Sequence, residues 1–452
     1  MQRRRFLQFA AAAAAGCAAS SPEAGEPHGA DDDPSSGGPE VLYSRRVPVR
    51  YEADVAVVGG GIAGVSAAAA AARSGAKVLL VERFAVTGGD LTSGGVANFC
   101  GQLSGQGEVF DRILADLKTF RALDARRPVF DHEILAVVLQ ELLLRRKVEL
   151  LLHTRFVDVR EAEGRITEAI VCGKSGPEAV RAKQWIDASG EADVARAAGF
   201  ATMKGRPEDG MTLPMSLMFF VRHVSPADAE PQLPEGWFHP IADRRDLPMT
   251  SVWPNGPGGN ALKLKVPGFD AANTEQLTAA EIRARRRMLE VLDYYQRVER
   301  KPWRLDHCSP IIGIREGRRV VGDYVLSVED LRAGRRFDDA VARGTFYLDA
   351  HKPDDEKRTY VLSEAERQVP PYQIPFRSLL VRDAENLLAA GRCFSADQLA
   401  LSSARVSTTC SMLGQAAGIA TAMAASRGCR PRDLDPGEVR RVVELRGAAL
   451  EV

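Results

Sequence analysis

Two side chains in the second half of the chain could move a proton or hold an anion. His351 ends the strand-like run "FYLDAH" (346–351), and an imidazole with an ordinary pKa near ~6.5 can exchange protons around neutral pH. Arg315 lies in the arginine-rich segment "GIREGRR" (313–319), where its guanidinium could fix an anionic or polar substrate group. We therefore predict His351 and Arg315 as catalytic residues, the first as proton carrier and the second as substrate anchor.

Each of these residues also has a purely structural interpretation. Arg315 and Arg319 are four positions apart, so on a helix they would share one face and could belong to a surface ion-pair network. A single histidine is more often structural than catalytic, which applies to His307 as well as to His351. The choice depends on the elements that position these residues.

A glycine-rich turn near the start of the folded chain predicts a nucleotide site. "DVAVVG" (54–59) is an apolar, β-branched run typical of a buried parallel strand. Gly59, Gly61 and Gly64 follow the GxGxxG spacing, which gives a tight turn, a close approach to a pyrophosphate and close helix packing. The helix that follows offers free N–H groups to a diphosphate. The alternative is a plain glycine-rich turn between a strand and a helix.

The next strand supports the nucleotide interpretation. "KVLLVE" (77–82) ends at Glu82, whose carboxylate can accept hydrogen bonds from ribose hydroxyls and would repel a 2′-phosphate. The strand, the turn, the helix and the acid together predict a dinucleotide site.

The N-terminal segment has the pattern of an export signal. "MQRRRFLQFAAAAAAGCAASS" (1–21) joins a basic start to a short apolar run; its arginines resemble a twin-arginine signal, and "AAGC" (14–17) resembles a lipobox. We predict an export signal over 1–17, a lipid on Cys17 as the sole membrane link, and a flexible tether over 18–50. The protein would then be a lipoprotein of the periplasm or extracytoplasmic membrane surface. Export in the folded state suits a resident dinucleotide better than a soluble NAD pool.

Composition excludes several classes of partner. The 452 residues carry 60 basic and 60 acidic side chains, so nothing favours nucleic acid. The seven cysteines form no CxxC pair and the chain contains no HExxH string, so we predict no metal site.

Three further stretches carry a resemblance to a known family. They are "TGGDLTSGGV" (87–96), "WIDASGEADVARAAG" (185–199) and "NLLAAGRCFSADQLALSSARVSTTCSMLGQAAGIATAMA" (386–424). With them, the chain from about residue 52 onward resembles the FAD-dependent oxidoreductases related to the fumarate reductase and succinate dehydrogenase flavoproteins, and most closely their bacterial branch. The cofactor would be FAD. A helix starting near Val406 would face the pyrimidine end of the flavin.

The resemblance implies a set of FAD contacts. They are Gly59, Gly60, Gly61, Ile62, Ala63, Gly64, Glu82, Arg83, Gly88, Gly89, Thr92, Ser93, Val157, Ser189, Gly190, Asp193, Gly391, Asp397, Arg405 and Val406. Val157 would meet the adenine through its backbone, and Asp193 would order the turn at Ser189. Gln398 stands where related sequences often have His. The chain lacks the "HT" of relatives that attach FAD through histidine, so we expect non-covalent FAD.

The predicted fold class is α/β. A Rossmann-like FAD-binding domain with a glutathione-reductase-like doubly wound sheet would comprise 51–200 and 376–430. An inserted α+β substrate or cap domain would span 201–375, with strands near 216–224 and 260–266 and an irregular loop over 231–259. A C-terminal helix would occupy 431–452.

These features predict an exported FAD-dependent dehydrogenase. It would transfer a hydride between flavin N5 and a small organic substrate, at an alcohol or sugar carbon or a C–C bond, with an unknown electron acceptor. Two alternatives remain: a non-catalytic redox-relay protein that carries flavin, and a thiazole-synthase-like flavoprotein.

Overall fold

The computed structural model describes residues 41–229, 233–234 and 236–452. The predicted export signal, the lipid site at Cys17 and most of the predicted tether lie outside these residues. Val47–Val452 form one compact unit. Within the described part of the chain, no helix combines the length and apolar character needed to cross a membrane.

Strands and helices occur in mixed order along the described residues. The strands are β1 (Val49–Val58), β2 (Val78–Val81), β3 (Glu149–Leu151), β4 (Arg155–Ala162), β5 (Arg165–Gly173), β6 (Gly176–Asp187), β7 (Thr202–Met203), β8 (Met215–His223), β9 (Thr250–Pro254), β10 (Gly259–Val266), β11 (Trp303–Cys308), β12 (Arg319–Val320), β13 (Ala340–Gly344), β14 (Tyr372–Pro375) and β15 (Leu387–Ala389). The helices are α1 (Ile62–Arg73), α2 (Glu108–Thr119), α3 (His132–Arg145), α4 (Asp193–Ala197), α5 (Thr274–Arg297), α6 (Val328–Arg332), α7 (Glu364–Arg367), α8 (Gln398–Ala404), α9 (Ser407–Arg427) and α10 (Pro436–Leu445).

The main sheet contains a parallel core in the order β3-β2-β1-β6-β15. Near its carboxyl end β6 pairs in parallel with β15, and near its start it pairs with β5 of an antiparallel β4-β5-β6 meander. Successive side chains of a strand point to opposite faces, and β1 is apolar on both. Val55 and Val57 join one core, whereas Ala56 and Val58 join the other. This arrangement confirms the predicted α/β class.

Helices α1 and α9 lie against each other on one face of this sheet. A Cβ on Gly414 or Gly418 of α9 would collide with the backbone carbonyl of Ala63 or Ala67 of α1, so the close approach of the two helices requires glycine there. The alanine run of α1 leaves the helix thin enough for this contact. The predicted helix near Val406 is confirmed, with Val406 as the N-cap of α9.

A second sheet, in the order β11-β8-β10-β9, is antiparallel. The odd-numbered side chains of β8, such as Leu217 and Phe219, pack with the long helix α5. The even-numbered Met218 and Phe220 pack on the other face, against Ala97, which follows the glycine-rich stretch 87–96. This face of the second sheet is therefore directed towards the parallel sheet.

Two local predictions are wrong. Residues 313–318 form no helix, because Gly313 pairs with Ser216 through both backbone groups (2.7 and 2.9 Å) and holds the segment extended. Arg315 and Arg319 therefore do not share a helical face. The segment 231–259 also contains the strand β9, which pairs with β10.

The packing divides the predicted insertion. Residues 215–314 supply the core between the second sheet and α5, whereas the apolar residues of 326–376 join the core of the parallel sheet and α9. At the C-terminus the helix is limited to α10, which begins at Pro436 with Asp435 as its cap. The predicted domain boundaries stay a prediction.

Candidate active site

The glycine turn between β1 and α1 leaves open space in front of the helix. Gly59 has a φ of 100°, which favours glycine, and a Cβ there would collide with the carbonyl oxygen of Ala188. A Cβ on Gly61 would meet no atom within 4 Å. Gly61 is the N-cap of α1 and makes no side-chain capping bond, so the first N–H groups of the helix are available to an anion.

Glu82, at the end of β2, fixes this turn. One of its carboxylate oxygens, Oε2, accepts a hydrogen bond from the N–H of Gly60 (2.6 Å), and Oε1 accepts one from the N–H of Phe84 (2.8 Å). The residue is only 5% exposed, yet it lies on a cavity wall. Because each carboxylate oxygen can accept more than one hydrogen bond, Glu82 can hold the turn and still accept from a ribose hydroxyl.

A cavity of about 960 Å³ begins at the glycine turn. This volume is at the upper end of the roughly 300–1,000 Å³ of small-molecule and cofactor sites. The predicted cofactor residues on its wall are Gly59, Gly61, Ile62, Ala63, Glu82, Arg83, Gly88, Gly89, Val157, Ser189, Gly190, Asp193, Gly391, Arg405 and Val406. The fold thus brings together residues that are more than 300 positions apart in the sequence.

The other predicted site residues lie off this wall. They are Gly60, Gly64, Thr92, Ser93 and Asp397 among the cofactor residues, and both predicted catalytic residues, Arg315 and His351. Thr92 Oγ1 donates to the carbonyl oxygen of Thr87 (2.7 Å), and the Asp397 carboxylate caps α8 by accepting from the N–H of Ala400 (2.7 Å). These two side chains stabilise the loops next to the cavity.

The turn after β6 is ordered by Asp187, not by the predicted Asp193. The fully buried Asp187 carboxylate accepts hydrogen bonds from Ser189 Oγ (2.6 Å) and from the N–H groups of Val194 (2.9 Å) and Ala195 (3.1 Å). Asp193 lies on the cavity wall, and its backbone N–H donates to Ser189 Oγ (3.0 Å). In the sequence, Asp187 was visible as the acid that ends an apolar strand just before "ASG".

The far end of the cavity lies at the N-terminus of α9. Arg405, Val406 and Ser407 line it there, together with Asn98. The buried atoms Asn98 Oδ1, Arg405 Nε and Ser407 Oγ make no hydrogen bond to the described residues. Burial of such groups without partners costs about 1–3 kcal/mol each, so the chamber is suited to a ligand with a polar ring edge. An isoalloxazine, with its carbonyl and N–H edge, fits this requirement.

Asp349 lies on the wall of the same end and is held from two sides. Its Oδ1 accepts a hydrogen bond from His351 Nε2 (3.0 Å), and its Oδ2 accepts one from the Arg405 guanidinium (2.9 Å). Burial alone would raise the pKa of Asp349, but the hydrogen bond from His351 and the charge of Arg405 hold this pKa well below its usual range. Asp349 is therefore ionised.

His351 lies behind Asp349 and is fully buried. Burial and the nearby Arg315 lower its pKa to about 3, although the bond to Asp349 acts in the opposite direction. The imidazole is therefore neutral near pH 7. Its Nε2 carries the proton that is donated to Asp349, and its Nδ1 makes no hydrogen bond to the described residues.

Arg315 is also withdrawn from the cavity. Its guanidinium donates to the carbonyl oxygen of Pro214 (2.7 Å) and to Ser216 Oγ (2.5 Å), at the start of β8. Burial and the charge of Arg405 lower its pKa to about 10, so it stays protonated at neutral pH. These contacts join Arg315 to the second sheet and do not place it where a substrate group would bind.

Sequence reasoning missed several residues of the wall. Asn98, Ser407 and Asp349 were not predicted as site residues, although Asp349 lies only two positions before His351 in the sequence. The wall also includes residues of α5 and of two loops: Leu277, Thr278, Glu281, Ile311, Ile312, Ile314 and Phe346. Gln398, where relatives often have His, donates to the Glu316 carboxylate (2.7 Å) and lies off the wall.

No group of three or more potential metal ligands occurs among the residues that the structure describes.

Comparison with known proteins identifies a family that covers most of the chain. Residues 54–443 match the family of FAD dependent oxidoreductases. A search of curated proteins gave no match. Among solved structures, a geranylgeranyl bacteriochlorophyll reductase-like protein from Thermoplasma acidophilum is 15% identical, with 88% of this chain and 84% of that chain covered and a TM-score of 0.47. A myxobacterial chondrochloren halogenase is 13% identical, with 88% and 79% covered and a TM-score of 0.46.

Proposed function

Because the chain belongs to the family of FAD-dependent oxidoreductases, we propose that it oxidises or reduces a carbon centre of a small organic substrate. Bound FAD supplies the two-electron chemistry, a hydride transfer at flavin N5. The protein residues hold the cofactor, exclude water and handle the accompanying proton.

The observation that carries this proposal is that one cavity is lined both by the cofactor residues and by a second layer, which consists of the second sheet and α5 with the residues packed between them. Gly61 and Glu82 lie at the nucleotide end, and Val406 lies at the flavin end. Beyond them, the wall continues through Leu277 of α5 and Ile312, which belong to the second layer. A redox relay needs no chamber of this kind next to its cofactor, so the arrangement favours an enzyme.

The chain's own groups at the flavin end suit a reaction in which negative charge develops. The N-terminus of α9 carries roughly half a positive charge, and Arg405 precedes it directly. Such fixed positive groups stabilise an anion without reorganisation. They would therefore favour electron transfer to the cofactor.

Two finer assignments are part of the proposal. The relationship to the fumarate reductase branch rests on the motifs at 87–96, 185–199 and 386–424. Export as a lipoprotein rests on Arg3, Arg4 and Cys17. Changing Arg3 and Arg4 together to Lys should leave the precursor in the cytoplasm, and Cys17→Ala should abolish lipid labelling. Unchanged extracytoplasmic protein in the double variant would contradict the signal.

Anaerobic stopped-flow spectroscopy tests the main proposal. The loaded protein is mixed with a panel of primary alcohols, secondary alcohols, sugars and saturated carboxylic acids, and the absorbance of the oxidised flavin near its long-wavelength maximum is followed. Rapid bleaching by one chemical class supports an enzyme of that class. A flavin that stays oxidised with every class, but is reduced by a chemical reductant such as dithionite, would favour the relay instead.

A further inference from the structure

We infer that Asp349 binds a hydroxyl group of the substrate and accepts its proton, and that His351 is the residue that positions Asp349. This inference rests on the proposed function and specifies its substrate as an uncharged, hydroxyl-bearing compound. In this inference His351 holds the Asp349 carboxylate in place and is not the proton carrier that the sequence predicts.

Access to the cavity distinguishes Asp349 from His351. The Asp349 side chain is 17% exposed and lies on the cavity wall, whereas the His351 side chain is 1% exposed and lies off it. A group that exchanges a proton with a substrate must come within hydrogen-bonding distance of it. Of the two residues, only Asp349 can do so without a rearrangement of the fold.

Two hydrogen bonds fix the orientation of the Asp349 carboxylate. His351 and Arg405 bind different oxygens of the carboxylate, so Asp349 cannot rotate without loss of one of these bonds. Each oxygen keeps a lone pair for a further donor. A hydroxyl is such a donor, whereas a substrate carboxylate would be repelled by the ionised Asp349.

The wall around Asp349 is largely apolar. Ile311, Ile312 and Ile314 supply an apolar surface, and Phe346 lies on the same wall. The acids Asp90 and Glu281 also line the cavity. Burial raises the pKa of Asp90, and Glu281 accepts from the N–H of Ile312 (2.8 Å) and forms an ion pair with Arg285. Asp349 differs from both, because His351 and Arg405 hold its carboxylate in the ionised form.

The charged and titratable groups around Asp349 come from several elements. They are His351, Arg405 and Arg315, with Lys263 of β10, Cys100 and Tyr347 nearby. Arg405 on the cavity wall and Arg315 off it stabilise the ionised form of Asp349. Burial lowers the pKa of Lys263 to about 8, and burial raises the pKa of Cys100, so that thiol stays protonated at neutral pH.

The reaction balances with these groups. A hydride, which is the hydrogen of the C–H bond adjacent to the hydroxyl with its electron pair, would be transferred to FAD, the oxidant that the family supplies, and the C–O single bond would become a carbonyl. As the hydride leaves, the hydroxyl becomes strongly acidic, so the O–H bond breaks and its proton is transferred to an oxygen of the weakly basic Asp349. Because the pKa of Asp349 is below its usual range, the carboxyl releases the proton to water afterwards.

The test compares Asp349→Asn with Asp306→Asn. Asp306 is a matched control because it also contacts a histidine next to it in the sequence, His307 (2.9 Å), but lies on the exposed side of β11 and off the cavity wall. Both variants are loaded with FAD and mixed anaerobically with the alcohols and sugars that reduce the parent. Asp349→Asn should slow flavin reduction about 10²–10⁴-fold, and Asp306→Asn should leave it unchanged.

A second measurement does not depend on turnover. Replacing Asp349 by Asn removes a negative charge from the flavin end of the cavity, so the midpoint potential of bound FAD should rise, whereas Asp306→Asn should not change it. An unchanged potential in Asp349→Asn would overturn the placement of this carboxylate beside the flavin.

The role of His351 is tested by a conservative and a non-conservative variant. His351→Gln keeps an N–H donor for Asp349 and should retain much more of the reduction rate than His351→Leu. Both should bind FAD, which the absorbance spectrum reports. Equal rates in the two variants would overturn the positioning role.

The outcomes separate the inference from the proposed function. If Asp349→Asn reduces its flavin at the parent rate, or if the parent is reduced by saturated acids and not by hydroxyl compounds, the inference fails while the proposed function stands. If no class of compound reduces the parent, the proposed function fails and the inference fails with it.

Discussion

Glu82 Oε2 accepts a hydrogen bond from the backbone N–H of Gly60 at 2.6 Å, across 22 positions of sequence. The end of β2 thereby fixes the glycine turn that follows β1. The same carboxylate lies on the cavity wall, so the residue that shapes the turn also faces the place of the ribose.

Glu82→Gln should weaken FAD binding. The amide can keep only part of the bonds to the N–H groups of Gly60 and Phe84. Hydrogen bonds to a charged group are worth about 1.5–3 kcal/mol. A loss of this size corresponds to roughly a 10- to 100-fold rise in the Kd for FAD. Titration of the apoprotein with FAD, followed by quenching of flavin fluorescence, measures the effect. Glu52→Gln, at an exposed position of β1, is the control. Equal affinities in the two variants would contradict a role of Glu82 in the site.

Much of the nucleotide end of the site could be predicted from the sequence, because the residues that shape it are close together in the chain. Gly59, Gly61 and Gly64 act through the backbone of one turn, and the strand that ends at Glu82 follows after a single helix. Pattern and spacing therefore indicate both the turn and the acid.

The flavin end could not be predicted in the same way because its contacts are long-range. Asp349 gains its charge and orientation from Arg405, 56 positions later, and Arg315 is drawn away from the cavity by the carbonyl of Pro214, 101 positions earlier. Residue type alone marked His351 as a proton carrier. Its complete burial, which depends on the whole fold, removes it from that role.

Gly414→Ala should destabilise the protein and reduce its FAD content. The new Cβ would collide with the carbonyl of Ala63 in α1, the helix that begins at the glycine turn, and overpacking of this kind costs about 1–3 kcal/mol or more. Thermal unfolding followed by circular dichroism and by flavin fluorescence measures both effects. Gly437→Ala is the matched control, since its Cβ would meet only ordinary contacts in α10. A similar Tm for both variants would argue against the helix contact.

FAD should be released by acid. The chain lacks the histidine motif of relatives that attach FAD covalently, and the contacts expected in the cavity are non-covalent. Precipitation with trichloroacetic acid should leave a colourless pellet and a yellow supernatant whose chromophore has the mass of FAD. A pellet that stays yellow would show a covalent bond.

As the pH falls, the free energy of unfolding of the parent protein should decrease more steeply than that of the His351→Gln variant. The pKa of His351 is lowered to about 3 by burial and by Arg315, with Lys263 acting in the same direction and Asp349 in the opposite one. In the unfolded chain the imidazole takes up a proton near pH 6.5, which the folded protein does not accept until about pH 3. The stability linked to the neutral imidazole is therefore present above pH 6.5 and is lost as the pH falls through this window, by up to about 1.4 kcal/mol per pH unit.

The measurement is the Tm of each protein at pH 7, 6, 5 and 4. The Tm values of the parent and of His351→Gln should converge as the pH falls, whereas the exposed control His307→Gln should follow the parent. Parallel curves for the parent and His351→Gln would show that this imidazole becomes protonated in the folded protein as readily as in the unfolded chain.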